Sequence, residues 1–260
     1  MAIIPVSAAG SVRRGFAFMT YALVLANVAV FTAEVARGPR FMDCVTSAYA
    51  LVPNDILSDT LHRPFVAGCA ITEPKLVYLT ILTALFLHAN ALHLGGNMLY
   101  LWVFGAALET RLGHLRYLLF YLVCGVAASA AQIAFSVYAH QTSVPMLGAS
   151  GAIAGALGAY LVFFPGAKVR SVVFFGFVIL TRLAAFIVIG FFILLQIVEA
   201  ALAIEAAQQA HGQGGGVAFF AHIGGFVAGM LLALLTKLFS PARPQAPARG
   251  AYRPPPRVSR

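Results

Sequence analysis

Residues 148–164 read GASGAIAGALGAYLVFF, an apolar run opened by glycines around a single serine, Ser150. Gly148, Gly151, Gly155 and Gly158 lie in or beside it, and each glycine inside a helix costs about 1 kcal/mol against alanine. Something other than helix propensity therefore selects them. Small residues at this spacing let a second helix approach backbone to backbone within lipid. The stretch reads as a tightly packed membrane helix with a hydroxyl near its start.

The remainder of the chain has the same character. Of 260 residues, 61% are hydrophobic and 10% charged, with a mean hydropathy of +0.89. Soluble domains carry about 25% charged residues. A hydrocarbon core about 30 Å thick needs about 20 apolar residues per helix. Candidate spans are 16–36, 92–108, 117–138, 148–164, 172–198 and 217–239, the fifth interrupted by Arg182. The expected fold class is all-α, a polytopic membrane protein with six transmembrane helices in one domain, 16–239. Residues 37–91 form an outer loop and an interfacial segment. Residues 1–15 precede the first span, and the Pro/Arg-rich tail 240–260 is expected to be disordered.

Charge orients the bundle. With 1–15 on the cytoplasmic side, the inner segments hold Arg13 and Arg14, Arg111 and Arg116, Lys168 and Arg170, and the basic tail. The short outer loops 139–147 and 199–216 contain neither lysine nor arginine, a positive-inside pattern that places both termini in the cytoplasm. The net charge of +9 is then a topology signal. Its dispersal over helix ends argues against a nucleic-acid partner. The first span exceeds the 7–15 residues typical of a signal-peptide core and is read as an uncleaved helix. Cys44 and Cys69 share the long outer loop, where they either form a disulfide or stay as two thiols.

Polar groups in lipid are costly and mark functional positions. His93 and Asn97, four apart on the second span, share a helix face; Ser150 opens the fourth span, and His222 lies early in the sixth. These three spans all run from outside to inside, so the four side chains fall in one layer below the outer surface. His88, His93 and His222 could be metal ligands, but no H-E-x-x-H occurs and no intramembrane carboxylate completes a site. An aspartyl mechanism would need two carboxyls in the membrane. Asp43, Asp55 and Asp59 all lie in the outer loop. A transporter would show repeated halves, and none is found. What remains is Ser150 as nucleophile with His222 as base. Asn97 and His93 then serve as oxyanion donors beside the Ser150 amide.

The chain resembles the rhomboid intramembrane serine proteases over about 76–235. GASG around Ser150 matches the family's G-x-S-G, and AHIGGFVAG matches A-H-x-x-G-x-x-x-G, with His222 as base. HANALHLGGN matches H-x4-H-x3-N, with His93 and Asn97 at the oxyanion, and FGAALETRLG matches a segment in which Glu109 and Arg111 are structural. The resemblance implies a six-helix bundle with a water-filled cavity open to the outside and no cofactor. It implies transmembrane protein substrates cleaved by a Ser–His dyad, and it points to a bacterial inner membrane. The alternative is a catalytically silent rhomboid-like protein that binds membrane clients. Where many members carry Trp-Arg before the second helix, this chain has LVYLTIL with Tyr78, so anchoring of that loop is expected to differ.

Overall fold

The computed structural model describes residues 2–8, 16–60, 69, 77–174, 176–209 and 219–239; the expected disorder of the tail 240–260 falls outside them. Helix α1 is Phe18–Arg37, and its first turn finds acceptors on a distant element. The amides of Met19 and Thr20 donate to the Glu109 carboxylate at 2.8 and 2.7 Å, as does the Thr20 hydroxyl at 2.7 Å. The His114 ring bonds the same group. A helix N-terminus combines unpaired amides with partial positive charge, and one carboxylate answers both needs. That explains how a glutamate only 1% exposed persists in an apolar bundle. Glu109→Ala is expected to cost about 2–3 kcal/mol, the value of charged hydrogen bonds left unmade. The loss would be read as a lowered melting temperature in detergent micelles.

Helix α2 (Pro39–Tyr49) and α3 (Pro53–Ser58) both begin with proline, whose missing N–H is no loss in a first turn. They occupy part of the expected outer loop. Cys44 of α2 is bonded to Cys69 with a Cα–Cα distance of 5.8 Å, so of the two readings left open the disulfide is the one found. A short helix of mixed 3-10 and α character, α4 (Val77–Phe86), leads into α5 (Ala91–Leu112). Asn90 caps α5 by accepting from the His93 amide at 2.8 Å. Helix α6 is His114–Tyr138 and α7 is Ser150–Phe163.

Among the described residues, four helices are long and apolar enough to cross a membrane: α1, α5, α6 and the last, Phe219–Phe239. Helix α7 differs. It has 14 residues, about 21 Å at 1.5 Å per residue, and Gly151 through Tyr160 are all buried. A helix walled in by protein has no hydrocarbon thickness to match, and irregular backbone above it is tolerated where protein surrounds it.

Correction is needed at the predicted fifth span, 172–198, and with it to an all-α description. Lys168–Phe174 (β2) and Val178–Ala184 (β3) form an antiparallel hairpin, and Ala2–Ala8 (β1) adds to the other side of β2. Helix starts only at Ala185, as α8 (Ala185–Gln209). The reason lies in the residues. The strands are rich in valine and isoleucine, which favour pleated structure. Lys168 and Arg170 alternate with buried Val169 and Ser171, a period of two. Gly176, at φ +76°, turns the chain where other residues are strained. The Ala185 amide donates to Ala167 at 2.9 Å, tying the start of α8 to the chain just beyond α7.

Candidate active site

The final helix, α9 (Phe219–Phe239), lies against α7 with almost nothing between the backbones. A Cβ on Gly225 would collide with the Gly151 carbonyl, one on Gly229 with the Gly155 carbonyl, and one on Gly158 with the Phe226 carbonyl. On the other flank, Gly151 faces Ala128 and Gly155 faces Cys124 of α6. The glycines of the opening stretch thus create the close approach expected of them. At the top of that contact, His222 Nε2 and Ser150 Oγ are 2.6 Å apart. The two groups come from positions 72 residues apart in the chain.

Ser150 is the first residue of α7, and no side chain caps that end. First-turn amides have no acceptor within their own helix, so donors and positive helix dipole surround the hydroxyl. Gly148 has φ +122°, and its missing side chain leaves room for His93 and Asn97. A Cβ there would sit 2.9 Å from His93 Cε1 and 3.7 Å from Asn97 Nδ2. The structure therefore gathers all four residues singled out in the sequence around one turn. Asn97 is 7% exposed and His222 5%, yet Asn97 Nδ2 and His222 Nδ1 make no hydrogen bond within the protein. A buried donor left open is costly, and Asn97 Nδ2 lies beside Gly148, two residues before Ser150.

Three contributors were not anticipated. Gln132 of α6 accepts from the Ala221 amide at 3.1 Å, which pins the start of α9 beside His222; a glutamine within an apolar span was the available signal. Phe192 of α8 places its ring 6.1 Å from that of His222. Leu51 and Met146 exchange backbone hydrogen bonds of 2.9 and 2.7 Å, fastening the outer segment onto the loop that leads to Ser150. Beneath this bridge is a cavity of about 30 Å³, bounded also by Ser129, Gly148, Ser150 and Gly151. Among the described residues no group of three or more His, Cys, Asp or Glu side chains could hold a metal ion.

Known proteins resemble this chain over part of its length. A family model for the rhomboid domain matches residues 75–239. The mitochondrial Rhomboid protein 1 of Saccharomyces cerevisiae is 32% identical over 158 residues, covering 60% of this chain and 39% of that protein. Rhomboid protease GluP of Bacillus subtilis is 46% identical over 81 residues, 31% of this chain and 15% of the relative. Mitochondrial RHOMBOID-like protein 6 of Arabidopsis thaliana is 31% identical over 168 residues, 56% and 51% of the two chains. The matched segments thus span about half or less of each relative. With the family model covering most of the membrane helices and both glycine-lined segments, the chain belongs to the rhomboid family.

Proposed function

We propose that this integral membrane protein is a serine endopeptidase that hydrolyses peptide bonds in or near transmembrane segments of other membrane proteins. The observation that carries the reading is the 2.6 Å contact between Ser150 Oγ and His222 Nε2, a distance suited to proton transfer. A substrate helix partly unwinds beside α8 and presents a carbonyl to Ser150. His222 takes the hydroxyl proton as Oγ attacks, then returns it to the leaving amine. The oxyanion accepts from the Ser150 amide, the open Asn97 amide and His93. Water then hydrolyses the acyl-enzyme. The cavity beside Ser150, about 30 Å³, exceeds the 10–15 Å³ or so that one water needs, and it supports this step.

In the same reading, α7 and α8 complete a six-helix bundle with α1, α5, α6 and α9. Both termini are cytoplasmic, and the membrane is a bacterial inner membrane. The disulfide between Cys44 and Cys69 fits an oxidising compartment on the outer side. A serine-reactive fluorophosphonate tests the assignment on purified protein. Label is expected on Ser150, and substituting His222 is expected to abolish it. Absence of label from folded wild-type protein would favour the alternative, a silent protein that binds membrane clients.

A further inference from the structure

The three-stranded sheet has no part in the chemistry above, and its two faces differ sharply. On one face, Ile3 and Val169 pack with Val103, Phe104 and Ala107 of α5, Leu157 and Tyr160 of α7, and Val188 and Ile189 of α8. Val103, Phe104 and Ala107 lie in the second half of α5, Leu157 and Tyr160 in the last turns of α7, and Val188 and Ile189 in the first turns of α8. The sheet therefore packs where these helices approach one end of the bundle. A sheet seated at the ends of membrane helices lies at the bilayer boundary, level with the lipid headgroups.

The second face is organised in rows by the strand register. Ile4, Val172 and Leu180 form one row, and Phe174 with Val178 another. Phe174, Phe177, Val178 and Leu180 are each more than half exposed, a patch of a kind that soluble surfaces rarely carry. The next row is Ser7, Arg170 and Arg182, all exposed. The two arginines are direct partners across β2 and β3, on strands about 4.8 Å apart. Like charges placed opposite each other destabilise a sheet, and no Asp or Glu occurs in any of the three strands. An anion shared by both guanidinium groups removes that penalty, because each presents a fork matched to phosphate oxygens.

We propose that the outward face of this sheet is a binding site for an anionic lipid. The lipid phosphate lies in the Ser7–Arg170–Arg182 row, and its apolar part lies against the Ile4–Val172–Leu180 and Phe174–Val178 rows. Charge complementarity and continuity with the helices that enter the bilayer favour a lipid over a soluble partner. The site does not depend on the activity proposed for Ser150.

The test compares melting temperatures of the purified full chain in phosphatidylcholine micelles with and without phosphatidylglycerol. Wild type is expected to gain about 2–4 °C from the anionic lipid, the shift that about 1 kcal/mol gives a chain of this size. The variant R170Q/R182Q is expected to gain almost none, yet to melt at or above wild type in phosphatidylcholine alone, since its like-charge pair is gone. A merely structural role for the arginines would lower melting in both micelles. R170K/R182K, which keeps charge without the fork, is expected to keep only part of the gain. An equal gain by wild type and R170Q/R182Q overturns the site and leaves the face to a soluble partner. A shift with inorganic phosphate matching that with the lipid overturns the assignment to lipid.

Discussion

Ser150→Ala is expected to reduce cleavage of a reporter carrying a transmembrane segment by on the order of 10⁴–10⁶-fold, the range in which loss of a serine nucleophile or its base falls. The fold should survive. Ser150 is the first residue of α7 and only partly buried, and the α7–α9 contact rests on glycine backbones, not on the hydroxyl. His222→Ala should behave alike, and the double variant should be no worse than either single one, because the two groups act as a unit. Asn97→Ala should lose less, about 10²-fold, the value of one oxyanion donor. The measurement is initial rate in proteoliposomes, with melting temperature as a check on folding. Turnover by Ser150→Ala near the wild-type rate would sink the assignment.

The second large effect concerns stability. Gly229→Val is expected to cost about 3–5 kcal/mol, the upper range for a single overpacked position, and to leave little folded protein after extraction. Even alanine is too large there, because the atom it would strike is the Gly155 carbonyl. A flexible side chain could move aside; backbone inside a helix cannot do so without breaking its own ladder. Gly225→Val meets the Gly151 carbonyl in the same way. Gly190→Ala serves as the contrast. Nothing lies within 4 Å of its added carbon, so the change should be neutral or raise stability slightly through better helix propensity. Equal melting temperatures for Gly229→Val and Gly190→Ala would show that the close approach is not what holds the bundle.

The contrast also marks what the sequence made legible. The gathering of His93, Asn97, Ser150 and His222 followed from two regularities, the helical period and the alternating direction of successive spans. Both act locally and leave their trace in residue spacing. The hairpin 168–184 escaped because total hydropathy is blind to period: VVFF and VILT satisfy a membrane window as well as a strand. Its signature was confined to the short alternation of Lys168, Val169, Arg170 and Ser171. Pairing with β1 was less visible still, since Ala2–Ala8 meets β2 across more than 160 positions. The same distance hid the role of Glu109, whose acceptors serve amides 89 and 90 residues away. Long-range hydrogen bonding fixes neither period nor composition at either end.

Helix α7 has a consequence for how this protein meets membranes of different thickness. Hydrophobic mismatch acts on lipid-facing spans, which tilt or deform the surrounding bilayer. The segment bearing Ser150 has almost no such face, since Gly151 through Tyr160 are buried among its neighbours. Stretching or thinning the bilayer therefore loads the outer helices first, while the Ser150 hydroxyl rides on a shielded inner post.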